Sequence, residues 1–565
     1  MPGIPDSYCR RGMNLKNMYD LIIIGGGING CGIARDAALR GLKTLLVEKN
    51  DFAAGTSGAN SQMIHGGARY LLSDLHTTQT SCLDSGYIQR IASHLVFRIP
   101  FIFPVFCEAG DSLFAKKLEL ELLETFFKAY DRYVPFKNGK PHTRLSKEEA
   151  LQIEPGLNKN VIGAVTFDEW GLDSTRLTFL NALSAAEQGA EIKNHTEVLE
   201  ILKEENQVKG VKLRNTFTGA ISEARAKIVL NAAGPWASKI AKMAGVELRL
   251  RPAKGIHLSF DRQFVNSAIL AKAMDGRSIF LMPHRNETIL GTTDDDYFGD
   301  PDHLEILPDE IEYLLEGIEK VFPAIRQARI TRAWAGIRPT LYERNKYEDD
   351  LTREHEVFDH EVRDGVKGFF SIAGGKLASF RLMSEETTNQ ICKKLGNTSA
   401  CRTHQLPLPG SEQTVNVQEL AQKFNVPLYA VRSLAWRHGS RVKEILELMA
   451  SNIDHKNIIC DCEPVLDAEI RYVIRNQWAR TLDDVKRRTR FSLGPCEGGR
   501  CLMMGAQILG QELGLSPREV FSHAGDFLQL KWQGRKMLLH NFQLQQEELN
   551  QATYLNVACL DQNAS

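Results

Sequence analysis

The strongest constraint on the fold is a glycine-rich turn that lies between a short apolar run and a predicted helix. The run Leu21–Ile24 reads as a buried strand, and Gly25, Gly27 and Gly30 follow it in a G-x-G-x-x-G spacing. A second apolar run ends at Glu48. In a βαβ unit such glycines permit a tight turn, close approach of a pyrophosphate and close helix packing, and the acid binds a ribose. This order predicts an α/β fold with a dinucleotide site.

Length and composition describe an ordinary globular protein with several domains. The chain has 565 residues and a formal net charge of −1, so no overall field attracts nucleic acid or an anionic surface. It contains no apolar run long enough for a spanning helix, and residues 1–18 lack the apolar core of a secretory signal. Most of the eleven cysteines are scattered, which is typical of a reducing compartment. We expect a cytoplasmic protein that does not bind nucleic acid and meets a membrane only peripherally or through a partner.

Apolar runs that end in small-residue turns return late in the chain and indicate a discontinuous nucleotide-binding domain. After an N-terminal extension over 1–18 and the opening unit, such turns occur at Gly234 and at Gly374–Lys376. They predict that later segments rejoin the first sheet, with a strand-rich domain inserted between them. We therefore predict discontinuous nucleotide-binding and substrate domains over 19–400 and a helical C-terminal domain over 411–565.

Six short motifs follow one another along the chain: the opening glycine turn, a loop that ends in His65–Tyr70, Asn231–Trp236, Gly291–Asp294, Ala335–Pro339 and Gly374–Leu377. Their order resembles that of the FAD-dependent glycerol-3-phosphate dehydrogenases. The resemblance extends from about residue 18 to 390 and to the helical tail. It implies a Rossmann-like FAD-binding domain of the D-amino-acid-oxidase-like type, interrupted by a strand-rich substrate domain. It also implies oxidation of sn-glycerol 3-phosphate to dihydroxyacetone phosphate, with electrons passed to a quinone or a partner subunit.

The resemblance implies which residues bind the substrate. It assigns the phosphate to Arg338, within Gly-Ile-Arg-Pro, to Arg353, and to Arg69 and Tyr70 of the glycine-rich loop. A phosphate dianion needs fixed cations, and the planar fork of arginine binds two of its oxygens. The alternative for each arginine is a surface salt bridge. Thr293 is expected to hydrogen-bond the substrate or to orient the site.

Three residues are candidates for the redox step itself. His257 lies in a short apolar segment, and an imidazole that titrates near neutral pH accepts a hydroxyl proton. Lys376 follows two glycines at a predicted helix start, where its charge would stabilise the reduced flavin or bind a substrate oxygen. The alternatives are a satisfied core histidine and a surface lysine. The catalytic base stays open among His257, Arg338 and a bound water.

Eight positions are expected to contact FAD because they match the family's motifs: Gly25, Gly27, Gly30, Glu48, Thr56, Ser57, Gly234 and Lys376. The glycine turn alone is also compatible with a nicotinamide dinucleotide. The loop over 55–70 and the later glycine turns favour a flavin, because they would pack on a second ring system from its far side.

Four cysteines near the end of the chain form two close pairs. Cys460 and Cys462 are spaced C-x-C, and Cys496 and Cys501 are spaced C-x₄-C. Four thiolates in two pairs bind [2Fe–2S] or zinc. The segment 460–501 resembles the bacterioferritin-associated-ferredoxin type of module, which also ends the anaerobic-type catalytic subunit of the family, although the usual second pair is C-x₂-C. We predict [2Fe–2S] in preference to zinc, and the alternative is a set of reduced structural thiols.

Other functions on the same fold stay open from the sequence. A glycerol-3-phosphate oxidase passes electrons to oxygen, and an amine or hydroxy-acid oxidase uses arginine for a carboxylate. A FAD-binding electron-transfer or assembly subunit turns over no substrate. The terminal cysteines favour a dehydrogenase, and the intact His65–Tyr70 loop argues against a role without catalysis. Transfer to a quinone predicts contact with the inner face of the cytoplasmic membrane.

Overall fold

The opening strand lies in the middle of a largely parallel sheet. The computed structural model describes residues 18–68, 71–72, 74–342, 354–449, 452–539 and 541–557. The strands of the first sheet are β1 (Tyr19–Ile24), β2 (Thr44–Val47), β6 (Glu191–Lys193), β7 (Thr196–Glu204), β8 (Gln207–Asn215), β9 (Ile221–Asn231), β16 (His355–Asp359) and β17 (Phe369–Gly374). Strand β1 pairs in parallel with β2 and β9, and β17 pairs in parallel with β9. Strands that follow residue 190 and residue 354 therefore return to the opening βαβ unit.

Both faces of this sheet are covered, which explains why β1 reads as a continuous apolar run. The helices before residue 400 are α1 (Ile28–Leu39), α2 (Leu75–Ile91), α3 (Leu113–Tyr130), α4 (Lys147–Ile153), α5 (Ser174–Glu187), α6 (Ala237–Met243), α7 (Pro308–Glu319), α8 (His360–Asp364) and α9 (Phe380–Leu395). Leu21 and Ile23 lie in one core with residues of α1, α5 and α9. Ile22 and Ile24 point the other way, into a core with β7, β8 and α6.

A second sheet faces the first and is mostly antiparallel. Its strands are β3 (Phe97–Phe106), β4 (Thr143–Ser146), β5 (Val161–Gly171), β10 (Leu250–Phe260), β11 (Ala268–Lys272), β12 (Ser278–His284), β13 (Glu287–Gly291), β14 (Asp295–Asp296) and β15 (Ile330–Leu341). The long pair β10 and β15 places His257 opposite Trp334 and Ala253 opposite Arg338. Two candidate site residues, distant in sequence, thereby lie on neighbouring strands.

The end of the chain is helical. Its helices are α10 (Val417–Phe424), α11 (Leu428–His438), α12 (Val442–Leu448), α13 (Asp467–Asn476), α14 (Leu482–Thr489), α15 (Leu502–Leu513), α16 (Pro517–Arg535) and α17 (Asn541–Val557), with a small hairpin of β18 (Ile458–Cys460) and β19 (Val465–Leu466). They enclose a hydrophobic core of their own. Buried ion pairs and hydrogen bonds fix this unit to the first sheet, among them Asp51 with Arg488 and Arg176 with the Arg437 carbonyl. The predicted fold class is confirmed: a flavoprotein-type α/β domain, an inserted strand-rich domain and a helical C-terminal domain.

Helix α3 leaves part of its apolar surface in contact with solvent. Phe114 is 79% exposed and Leu122 is 63% exposed, whereas Leu120, Phe127 and Tyr130 are buried beneath the helix. Within the described part of the chain, none of the helices has the length and apolarity needed to cross a membrane.

Candidate active site

Two of the three motif glycines, Gly25 and Gly30, are required by the local geometry of the turn. Gly25 has φ +112°, and a Cβ there would lie 2.6 Å from the Ala232 carbonyl oxygen. A Cβ on Gly30 would lie 1.9 Å from the Gly25 carbonyl oxygen, so helix α1 could not pack on β1. Gly27 has only the Ser57 hydroxyl, 3.2 Å from a Cβ position, in front of it. The turn therefore leaves its backbone open to a ligand at the start of α1.

Glu48 ends β2 in the position that binds a ribose in dinucleotide folds. Its carboxylate accepts hydrogen bonds from the Gly26 N–H at 2.6 Å and the Asn50 N–H at 2.8 Å. Desolvation raises the pKa of this carboxyl, although the two hydrogen bonds oppose the shift. A carboxylate has about four acceptor positions, so both oxygens retain capacity for ribose hydroxyls.

A single large cleft runs from this turn to the second sheet. Its volume is about 1310 Å³, larger than the roughly 300–1,000 Å³ of most small-molecule sites, as an extended dinucleotide with a substrate requires. All eight predicted cofactor positions except Gly30 line it. Gly30 lies behind the turn, where its role is helix packing. Ser57 accepts a hydrogen bond from the Ile28 N–H at 2.9 Å, and Thr56 donates one to the Ile337 carbonyl at 2.5 Å.

Two arginines line the second-sheet side of the cleft and share one acidic neighbour. Arg338 donates to the Asp294 carboxylate at 3.0 Å and to the Thr292 hydroxyl at 3.2 Å. Arg277 donates to the Asp294 carbonyl at 2.5 Å. Gly255 makes room for Arg338, since a Cβ there would lie 2.5 Å from an Arg338 nitrogen. Both guanidinium groups are held in place before any ligand arrives.

Arg277 was not anticipated from the sequence, because nothing in Asp-Gly-Arg-Ser distinguishes it from a surface turn. It also pairs with the Asp275 carboxylate at 2.6 Å and with Asp295 at 3.0 Å. Only the contacts of the turn before β12 with Asp294 and Asp295 bring it to the cleft wall. The other predicted substrate residues, Arg69, Tyr70 and Arg353, lie outside the described residues.

Thr293 lies behind the cleft surface rather than on it. It is 2% exposed, and its hydroxyl accepts a hydrogen bond from the Ile256 N–H at 3.1 Å. The neighbouring Thr292 lines the cleft and touches Arg338. Thr293 is therefore placed to hold the loop after β13 against β10.

His257 also lies one layer back from the cleft. It is 2% exposed, its Nε2 is 2.9 Å from the Ser61 hydroxyl, and its ring is stacked on Trp334 with 5.3 Å between ring centres. Ser61 itself lines the cleft. Burial and the nearby Arg338 charge lower the pKa of His257 to about 3. The imidazole is thus neutral at ordinary pH, and the group it presents to the cleft is the Ser61 hydroxyl.

A buried polar network holds the loop that precedes the undescribed residues. Glu169 lines the cleft and accepts hydrogen bonds from the Gly66 N–H at 2.8 Å and the Tyr130 hydroxyl at 3.0 Å. Lys137, which is fully buried, lies 3.0 Å from the same carboxylate. Lys376 reaches the cleft from the turn after β17, where Gly374 and the next glycine have positive φ. Glu169 and Lys137 gave no sequence signal because their partners are far away along the chain.

The four C-terminal cysteines lie together. The Cys462 and Cys496 sulfurs are 3.6 Å apart, and the Cys501 thiol hydrogen-bonds the Cys460 sulfur. Each spatial pair thus takes one cysteine from each sequence pair. The backbone N–H groups of Ser492 and of residue 463 point at the Cys460 sulfur. None of the four forms a disulfide bond among the described residues.

Comparison with known proteins identifies the class of protein to which this chain belongs. The family of FAD dependent oxidoreductases matches residues 20–379, and the C-terminal domain of alpha-glycerophosphate oxidase matches residues 401–520. The chain is 34% identical over 551 residues to one subunit of the anaerobic glycerol-3-phosphate dehydrogenase of Escherichia coli K12, covering 96% of this chain and 97% of that protein. It is also 34% identical over 548 residues to the corresponding subunit of the anaerobic enzyme of Haloferax volcanii, covering 95% and 90% of the two chains.

Solved structures agree with this class. A glycerol-3-phosphate dehydrogenase from Bacillus halodurans in complex with FAD superposes with a TM-score of 0.73 at 25% identity, covering 93% of this chain and 96% of that one. The L-alpha-glycerophosphate oxidase of Mycoplasma pneumoniae, with a TM-score of 0.51 at 20% identity over 69% of this chain and 99% of that one, shares the fold. The chain belongs to the FAD-dependent glycerol-3-phosphate dehydrogenase family. Its cofactor is FAD, and the glycine turn, Glu48 and the length of the cleft fit that group.

Proposed function

We propose that this protein oxidises sn-glycerol 3-phosphate to dihydroxyacetone phosphate and passes the electrons to a quinone or a partner subunit. The observation that carries the proposal is the pair of arginines, Arg277 and Arg338, in the wall of the FAD cleft. Arg338 approaches Asp294 from β15 and Arg277 approaches it from the turn before β12, so both guanidinium groups are fixed about one residue. Such preorganised cations suit a phosphate dianion. The names of the relatives support the same substrate.

The reaction removes a hydride from C2 of the substrate and a proton from the hydroxyl on the same carbon. FAD, when bound, supplies the two-electron acceptor. Arg338 and Arg277 hold the phosphate and so orient C2 within the cleft. Lys376 provides positive charge at the turn after β17, where negative charge develops.

The hydroxyl proton leaves on the side of the cleft that Ser61 lines. The Ser61 hydroxyl bonds the neutral His257 ring at 2.9 Å, so Ser61 orients the substrate hydroxyl and His257 orients Ser61. A group with a pKa near 3 is a weak proton acceptor at neutral pH. His257 is therefore a positioning residue in this proposal. The Arg338 guanidinium stays protonated and has no acceptor atom, so the base is a bound water.

Anaerobic titration of the purified holoprotein with glycerol 3-phosphate tests the activity. We expect stoichiometric bleaching of the flavin absorbance and formation of dihydroxyacetone phosphate. An unbleached flavin would reject the activity and favour the electron-transfer or assembly role instead. Re-oxidation in air with stoichiometric peroxide, faster than with a quinone, would identify an oxidase.

We propose that the four terminal cysteines hold a [2Fe–2S] cluster. A tetrahedral zinc site with bonds of about 2.3 Å needs all its sulfurs within about 3.8 Å of one another. Among the described residues, these sulfurs do not include a set of three within 4.8 Å. Two separate pairs, Cys462 with Cys496 and Cys460 with Cys501, instead suit two irons. A cluster there would supply a one-electron relay between the flavin and the acceptor.

Anaerobic purification followed by iron, sulfide and zinc analysis tests the cluster. We expect two irons and two sulfides for each chain, and their loss in Cys462→Ser. Stoichiometric zinc, or none of the three elements, would reject the assignment. Cys107→Ser is the control, because this half-buried cysteine lies on the second-sheet side of the molecule.

We propose that the electrons leave at the inner face of the cytoplasmic membrane. The exposed apolar side chains of α3, Phe114, Leu118 and Leu122, support a peripheral contact there. Fractionation of cells that carry Leu118→Glu tests this: release of the protein from the membrane fraction is expected, and unchanged retention would exclude α3.

A further inference from the structure

The C-terminal domain forms one wall of the cleft beside the ribose-binding acid. The cleft-lining residues at the start of this wall are Thr481, Asp483, Asp484 and Arg487. Opposite them lie the segments Glu48–Asp51 and His195–Val198 of the nucleotide-binding domain. In a dinucleotide the ribose joins the pyrophosphate to the adenine, and the pyrophosphate lies at the glycine turn. The stretch beyond Glu48 is therefore where the adenine reaches.

Helix α14 is fixed to this stretch by buried ion pairs. Arg488 and Asp51 are each 1% exposed, and the guanidinium donates to both carboxylate oxygens, at 2.6 and 2.8 Å. His195 lies 2.9 Å from the Asp484 carboxylate. A paired, bidentate contact of this kind is geometrically specific, and loss of one partner leaves a buried charge. The wall is therefore rigid and not a loosely placed surface.

Arg487 is the side chain of this wall that suits an aromatic ligand. Its N–H groups meet three carboxylates: Asp51 and Asp484, each at 3.5 Å, and Asp483. These aspartates balance the positive charges of Arg487, Arg488 and Lys486, so no net charge remains to attract a phosphate. When the N–H groups at the edge of a guanidinium are already paired, its flat face can still stack on an aromatic ring.

We propose that α14 closes the adenine end of the FAD site and that the Arg487 guanidinium stacks on the adenine ring. FAD binding and docking of the C-terminal domain are then thermodynamically linked, each favouring the other. The proposal rests on the cofactor and is independent of the substrate.

The test is binding of ligand fragments to the flavin-free, full-length chain. FAD, ADP and FMN are titrated by calorimetry into the parent, Arg487→Ala and Arg487→Lys. Lysine keeps the charge and the ion pairs but lacks the planar face. We expect both variants to bind FAD and ADP about tenfold more weakly, by the same factor for the two ligands, with FMN binding unchanged. Arg475→Ala, on α13 and paired with Glu512, is the matched control.

Each other outcome overturns the proposal. Parent-like affinity for FAD and ADP in both variants would show that Arg487 does not contact the adenine. Full recovery in Arg487→Lys would assign Arg487 an ionic role instead of stacking. Equal weakening of FMN would indicate general damage to the fold.

Discussion

The two ends of the cleft would bind their ligands through different groups: mainly the backbone of a turn at one end and charged side chains at the other. At the dinucleotide end, Gly25, Gly27 and Glu48 act through backbone geometry within one contiguous βαβ unit. At the substrate end, Arg338 lies on β15 of another sheet, Arg277 lies in the turn before β12, and carboxylates hold both side chains. The dinucleotide end has almost no space for an added side-chain atom, whereas the substrate end depends on the charge and orientation of its two arginines. Damage to the first should therefore abolish cofactor binding, and damage to the second should spare it.

The largest effect is expected at Gly30. In Gly30→Ala the new Cβ would lie 1.9 Å from the Gly25 carbonyl oxygen, so α1 must move away from β1 and the anion-binding turn opens. We expect purified protein without bound flavin, measured as the flavin-to-protein absorbance ratio. Gly219→Asn is the control, because its φ of +69° suits asparagine and its side-chain position is open. Full flavin content in Gly30→Ala would contradict the assigned turn.

Arg338 should separate the two ends. In Arg338→Met the phosphate loses a fixed cation, while the Glu48 contacts at the other end are untouched. We expect kcat/KM for glycerol 3-phosphate to fall by about 10²–10³-fold, with flavin content unchanged. Arg326→Met removes an exposed, ion-paired arginine of the same charge and should behave as the parent. A fall of less than about fivefold would remove Arg338 from the substrate site.

Substitutions of Ser61 and His257, behind the substrate end, are expected to change kcat less. Their effects show whether His257 takes the proton or positions Ser61. A histidine that takes the proton directly predicts a loss of about a hundredfold or more in kcat for His257→Ala. Its place behind Ser61 and its low pKa predict about tenfold for Ser61→Ala and for His257→Gln. The double variant should lose no more than either single one, because the two residues act as a unit. Additive losses would show two independent roles.

The same comparison explains how far the sequence could predict the molecule. The glycine turn, the buried strands and the late return to the first sheet leave local patterns, and the fold class followed from them. Six motifs also located Arg338 and Lys376 in the cleft wall. The motifs did not locate Ser61, Arg277 and Glu169. The place of each in the cleft shows only in its contact with a residue elsewhere in the chain: His257, Asp294 and Gly66, respectively.

The position of a residue in a motif did not predict whether its side chain lines the cleft or lies behind the cleft surface. Thr293 and Thr292 are adjacent, yet only Thr292 lines the cleft. His257 lies on the same face of the second sheet as Arg338, but Ser61 lies between its ring and the cleft, and Trp334 packs beside the ring. The alternation of side chains along a strand therefore gives the face of His257 correctly, but it does not show that Ser61, which is distant in sequence, covers the ring.

The smallest expected effect is a change in stability with pH. Burial and Arg338 lower the pKa of His257 to about 3, whereas the unfolded imidazole has a pKa near 6.5. The unfolded chain therefore binds this proton first, and stability is lost as the pH falls from about 6.5 towards 3. His257→Gln should remove about 2 kcal/mol of the destabilisation between pH 8 and pH 5, measured by denaturant unfolding of the holoprotein. His76→Gln, at an exposed position, should leave the pH dependence as in the parent. If the free energy of unfolding of His257→Gln depended on pH as in the parent, the ring would be solvated or partnered in solution. The contrast between the rigid dinucleotide end and the buried residues behind Ser61 would then no longer hold.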